Sequence, residues 1–223
     1  SEQYATEQLR QFNQAVSVPE SVYAFLEKYD VKTTAVNLMA ASRLMKNPSE
    51  AVRNLWEHGD SATARALLDE TLRRFSESVK NPKELAQAQE TLADTAEHVM
   101  DSMIIEDRRT GSLDIRQMKL LCSQLKIASS MSRQENYIVP IETADGVTGM
   151  KLRIVRGEDK KGLVDIFLED KKCGRVAAYF DAKENSVSAM IVTDDEQTKK
   201  LFEDNITTFE SGISDGEQSV HID

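Results

Sequence analysis

The sequence predicts an α+β protein: an amino-terminal helical bundle followed by a mostly antiparallel β-meander sheet covered by one helix. Three observations carry this expectation. Up to about residue 136 the apolar residues recur at helical spacing, and beyond it they alternate with polar ones. The links between the alternating runs are only a few residues long, whereas parallel neighbours need crossovers of about a dozen residues. With 223 residues, 40% of them apolar, the chain can bury two modest cores. The expected domains are therefore 1–136, helical, and 137–223, sheet plus helix.

In the helical part, Ser17 or Pro19 precedes a run that ends near Tyr29, and Thr33 or Thr34 precedes the next. Pro48, after Asn47, opens a third helix, because proline's fixed φ suits a first turn. Gly59 closes that helix and Asp60 or Ser61 caps a fourth, whose stripe is Ala64, Leu67, Leu68, Leu72 and Phe75. Asn81-Pro82 breaks the chain before a long stripe of Leu85, Leu92, Ala96, Val99 and Met103. After a break at residues 108–111, a further helix over 113–131 buries Leu120, Leu121, Leu125 and Ile127. The loops of two to six residues suit a bundle.

Five strands are expected at YIVPIE, VTGMKLRIV, GLVDIFLE, GRVAAYFDA and SVSAMIVT, and a sixth at QSVHID. Asp145-Gly146 and Glu184-Asn185 are hairpin material, since these residue types tolerate positive φ. Val164, Ile166 and Leu168 alternate with polar or outward residues, as do Val176, Ala178 and Phe180, so one face of the sheet should be the better buried. Asp194, Asp195 and Glu196 fit the first turn of a following helix, where the macrodipole favours anions. Its stripe of Phe202, Ile206 and Phe209, with Leu201 beside it, is the natural cover for that face.

Composition narrows the function. A net charge of −10 with no clustered basic window argues against nucleic acid. The apolar runs fall far short of the ~20 residues that span a bilayer, and no charged-then-apolar leader opens the chain, so a soluble protein or fragment is expected. No metal-ligand spacing, phosphate-gripping glycine loop, nucleotide fingerprint or G-x-S-x-G elbow occurs, so the expectation is no catalytic site, no metal and no cofactor. Asp194, Asp195 and Glu196 diverge by about a hundred degrees each on a helix and do not converge on an ion. His98 as a phosphoacceptor and Cys173 as a nucleophile are the sharper readings. None of His58, His98 and His221 supplies the second group such chemistry needs, and Cys122 and Cys173 read as reduced and structural.

The unit 137–223, most visibly in the order of elements from Cys173 to Asp223, resembles the carboxy-terminal domain of bacterial flagellar hook-length control proteins. Gly174, Val176 and Ala178 occupy the family's first strand motif, Val187 to Val192 the second strand, Leu201 to Phe209 the helix, and Gly212 with Ser219 to Ile222 the close. Cys173 stands where the family usually has leucine, and the family's proline-rich lead is missing. The helical part, with PESVYAFLEKYDVKTTAVNLMAASRLMKN, is similar to the amino-terminal part of clostridial versions. The resemblance implies a non-enzymatic hook-length ruler and export-specificity switch. Such a protein lies in the bacterial cytoplasm, is itself exported through the flagellar type III apparatus, and binds the cytoplasmic domain of the export-gate switch protein and hook or hook-cap subunits. It places partner binding on Gly174, Val176, Ala178, Phe202, Ile206 and Phe209.

The residues themselves suit that implication in one respect: Asp194 to Asp223 carries nine acidic residues against Lys199 and Lys200, a surface for a basic partner or simply a solvated face. The competing expectation is a helical adaptor with an appended β domain and no flagellar role, in which the helices from Glu20 to Phe75 hold a peptide in a groove.

Overall fold

The computed structural model of the chain describes residues 18–59, 61–107, 115–158, 161–184, 186–213 and 219–222. The helical part comprises α1 (Glu20–Lys28), α2 (Ala35–Lys46), α3 (Glu50–His58), α4 (Ala62–Ser78), α5 (Pro82–Asp107) and α6 (Ile115–Ser132). The strands β1 (Asn136–Thr143), β2 (Gly146–Arg156), β3 (Gly162–Asp170), β4 (Gly174–Lys183) and β5 (Ser186–Thr193) follow. Two short helices, α7 (Glu196–Asp204) and α8 (Ile206–Ile213), lead to β6 (Ser219–Ile222). The fold is α+β, as the change of period near residue 136 predicts. The break expected at 108–111 lies outside the described residues.

Side-chain caps explain where the helices start. Thr34 Oγ1 accepts from the Asn37 amide at 3.2 Å, and Ser61 Oγ from the Ala64 amide at 3.2 Å. Asp60, the other candidate cap for α4, lies outside the described residues. For α3 the serving side chain is Asn47, whose Oδ1 accepts from the amides of Ser49 at 3.1 Å and Glu50 at 3.2 Å. Ser49, the N-cap residue, is thereby released for a contact with the sheet.

In the helical part the expected stripes pack inward except at Leu67. Ala64, Leu68 and Phe75 are buried, but Leu67 is 39% exposed. It stands about 100° round the helix from its neighbour Leu68, and on α4 the packed arc takes Ala64, Leu68 and Phe75 and leaves Leu67 outside it. A continuous apolar cluster joins Leu26, Leu55, Phe75, Leu92 and Leu125 to Tyr137, Ile138, Val139 and Leu152 of the first two strands. Val176, Ala178 and Ala189, farther out in the sheet, are buried outside that cluster.

The sheet runs in chain order, β1-β2-β3-β4-β5-β6; the first five strands are antiparallel and β6 lies parallel to β5 after the α7–α8 crossover. Register places Val164, Ile166 and Leu168 opposite Phe180, Ala178 and Val176, so the two expected alternating sets share one face. The Thr143↔Gly146 pair leaves a two-residue hairpin loop, with Gly146 at φ +119°. Of the other expected turn, Glu184-Asn185, the asparagine lies outside the described residues. The outer edge of β1 is closed by α5, because the Ile138 amide donates to Gln89 Oε1 at 2.8 Å and the Tyr137 hydroxyl to the Pro82 carbonyl at 3.4 Å.

Ser49 ties the helices to the sheet. Pairing between β2 and β3 ends at Met150↔Leu168, and just beyond it the Gly149 amide donates to the Ser49 carbonyl at 3.3 Å while the Glu169 amide donates to Ser49 Oγ at 3.3 Å. The residue that starts α3 is thus wedged between two strands, fully buried. It satisfies backbone donors that the opened ladder leaves without strand partners.

The sequence predicts one helix after Asp195, and the structure breaks it at Asn205. The Asn205 side chain donates to the Leu201 carbonyl at 2.8 Å, the acceptor its own amide would use in a continuous helix. That amide turns instead to the Phe202 carbonyl at 3.1 Å, so α7 ends and α8 begins at a new angle.

Candidate functional site

The six residues implied in partner binding separate into two groups. Gly174 opens β4 at φ +65°, a conformation that favours glycine, and a Cβ there would stand 2.6 Å from Asp194 Oδ1. That carboxylate accepts from the Arg175 amide at 2.8 Å, fastening the start of β4 to the end of β5. Val176 and Ala178 are 9% and 8% exposed and stand opposite Thr193 and Ile191 in the register. They are too enclosed to form a surface themselves.

Phe202, Ile206 and Phe209 come together on that face of the sheet. With Ile191 and Thr193 of β5 they line a recess of about 120 Å³. The rings of Phe202 and Phe209 lie 5.2 Å apart and tilted by 40°, within the range of favourable aromatic pairs. Lys199 and Glu203 also line the recess and pair with each other across one helical turn at 4.0 Å. Phe209 is 39% exposed, so the recess has an apolar wall in contact with water. The break at Asn205 shapes it, because Phe202 comes from α7 and Phe209 from α8. Leu201, expected beside them as cover, points away and is 57% exposed; Thr198 is the buried residue of α7.

The segment that supplies the helical wall of the recess is acidic. Between residues 194 and 210 stand Asp194, Asp195, Glu196, Glu203, Asp204 and Glu210 against Lys199 and Lys200. Asp195 caps α7: its Oδ2 accepts from the Thr198 amide at 2.7 Å. Hydrogen bonds from the Thr198 amide and hydroxyl hold its carboxyl below the ordinary aspartate value, so it is ionised at neutral pH.

A second, larger opening lies between the helices and the sheet turns, a cleft of about 560 Å³. Arg53 and Trp56 of α3 and Arg65 and Asp69 of α4 line one side, and the β1–β2 and β3–β4 turns, with Asp145, Asp170 and Lys171, the other. Burial pushes the Asp170 carboxyl up, but the amides of Lys172 and Cys173 and the Thr143 hydroxyl outweigh it and hold it below its usual value. Trp56 is buried and its Nε1 has no hydrogen-bond partner among the described residues. No sequence pattern announces this cleft, because it depends on the wedging of Ser49 against Glu169, 120 residues away.

Cys122 is buried, and burial followed by the nearby Glu97 charge pushes its thiol up to about 11, which keeps it protonated and unreactive. His98 spends its Nδ1 on the Asp94 carbonyl at 2.8 Å along its own helix. Among the described residues no group of three or more His, Cys, Asp or Glu side chains is placed to hold a metal ion, and no helix is long and apolar enough to cross a membrane.

No family model, no curated protein and no solved structure matches this chain.

Proposed function

We propose that the chain is a non-enzymatic protein-interaction module of the bacterial flagellum. It acts in hook-length control and in switching the substrate specificity of type III export by binding the export gate. The observation that carries the reading is the recess of Phe202, Ile206 and Phe209 on β5: these residues hold the helix positions of the motif that resembles hook-length control domains, and they meet around an open apolar pocket on an acidic segment. A concave apolar site with an exposed aromatic wall is a candidate binding site. The acidic segment steers toward a basic partner and makes the encounter sensitive to salt.

The test is a titration of the full chain with the cytoplasmic domain of the flagellar export-gate switch protein from the same bacterium, at low and moderate salt. Salt-sensitive micromolar binding that Phe209→Asp abolishes in a folded chain is the expected result. Phe209 is the variant to use, since it is partly exposed, whereas an acid at buried Val176 would unfold the sheet. Failure to bind overturns the flagellar reading. The second reading, a helical adaptor, is favoured by the mixed-charge cleft beside Arg53 and Arg65; it requires peptide binding that Arg65→Glu weakens and Phe209→Asp does not.

A further inference from the structure

Resting on the reading that the carboxy-terminal unit binds a protein, we infer that the β5 recess is a socket for one large apolar side chain of a basic partner segment. Size sets the first limit. An apolar cavity of about 150 Å³ takes a benzene-sized guest. At about 120 Å³ the recess takes one leucine- or methionine-sized side chain and not a whole helix face. The lining sets the second: Ile191, Phe202, Ile206 and Phe209 offer carbon, Thr193 Oγ1 already accepts from the Asp195 amide, and the charged residues on it, Lys199 and Glu203, are opposite in sign and exposed at the rim. Nothing in the socket therefore selects a polar anchor.

Charge identifies the kind of segment that carries the anchor. Six carboxylates against two lysines between residues 194 and 210 leave a net −4 on the segment that supplies the helical wall of the recess. The same excess disfavours a second copy of this chain, since two such segments repel, and the whole chain carries −10. The occupant is accordingly a segment with lysines or arginines flanking a single leucine or methionine. Asn205 is the positioning residue, because its side-chain bond to the Leu201 carbonyl ends α7 and sets Phe209 across from Phe202.

The experiment uses the full chain with labelled isoleucine methyl groups and three synthetic helical probe peptides: a lysine-rich one with a single leucine, the same with alanine for leucine, and one with glutamates for the lysines. The expected result is that the leucine peptide shifts the Ile191 and Ile206 methyls, that alanine weakens binding about tenfold or more, and that the glutamate peptide does not bind. Thr193→Phe, which fills the recess, and Phe209→Ala, which removes one wall, each abolish the difference between leucine and alanine. Equal affinity of the leucine and alanine peptides, or unmoved Ile191 and Ile206 methyls, overturns the socket. Methyl shifts that follow the chain's own concentration overturn it in favour of self-association. If the export-gate domain binds while these methyls stay unmoved, the flagellar reading stands and the socket fails; if the leucine peptide binds there and the gate domain does not, the reverse holds.

Discussion

Replacing Gly149 by alanine tests how the helices are joined to the sheet. A Cβ at this position meets Ile138 Cγ2 at 3.0 Å, Ser49 Cα at 3.1 Å and the Pro48 carbonyl oxygen at 3.2 Å. Favourable carbon contacts lie at about 3.5–4.0 Å, so each neighbour has to retreat by several tenths of an ångström. Two of the three are backbone atoms of the residues that start α3, which Ser49 holds by its bonds to Gly149 and Glu169. Overpacking of this kind costs about 1–3 kcal/mol. Alanine also restricts the unfolded chain, which returns about 0.4–1 kcal/mol where the backbone conformation is permitted, and Gly149 sits in a strand without a left-handed φ. The net expectation is a loss of about 1–2 kcal/mol, or about 2–8 °C in Tm for a chain of this size. Urea and thermal unfolding followed by circular dichroism and by the fluorescence of Trp56, the chain's only tryptophan and a residue of α3, measure it. Gly212→Ala is the control of opposite sign, because nothing lies within 4 Å of its added Cβ and it sits in α8. A Gly149→Ala protein as stable as the parent, or more so, would refute the wedge.

Two further outcomes follow from the same physics. Thiol labelling at pH 8 should modify half-buried Cys173 within minutes and leave Cys122 untouched until the chain unfolds, since burial holds the latter thiol up at about 11; equal rates would place Cys122 outside the core. The Asp195 carboxyl is depressed in the folded chain, so its contribution to α7 is fully present above the unfolded aspartate value of about 4 and is lost as pH falls through the lower folded value. The Asp195→Asn substitution keeps a capping oxygen that does not titrate, so the variant's Tm should fall less steeply than the parent's between about pH 5 and pH 3; parallel curves would remove the cap from the account.

Local chemistry made most elements legible. Thr34 and Ser61 cap the helices that their positions announce, and the alternation of Val164, Ile166 and Leu168 against Val176, Ala178 and Phe180 reappears as one face of the sheet. What stayed hidden depended on competition or on distance. Leu67 fits an apolar stripe as well as Leu68 does, and only the packing of α4 decides between them. Asn205 is a tolerable helix residue by propensity, yet its side-chain amide takes the Leu201 carbonyl and splits the helix. Of the implied partner-binding residues, Phe202, Ile206 and Phe209 assemble, while Gly174, Val176 and Ala178 lie on β4 outside the recess; a strand pattern marks which residues alternate, but not which side a later helix shields. The cleft beside Trp56 had no local signal, because its two walls belong to elements far apart in sequence.

The placement of the recess within the sheet bears on how the two parts of the chain share work. The helical bundle grips β1 and β2, where Tyr137, Ile138 and Leu152 join its core and Ser49 is wedged. The recess lies on β5, four strands from β1 in an uninterrupted order, which at about 4.8 Å per strand is about 19 Å away. Ser49 lies nearer, wedged at Gly149 and Glu169 and about two strands from β5, but the cleft shares no lining residue with the recess. The antiparallel ladder between them is continuous, with Tyr137, Leu152, Ile166, Ala178 and Ile191 in one cross-strand row. That row gives the socket a rigid floor whose far end is anchored in the helical core. A loop-borne socket would have to be ordered at the moment of binding, whereas this one has its Ile191 wall already set by the sheet. On the socket proposal, the helical part would contribute to recognition by holding the sheet in place.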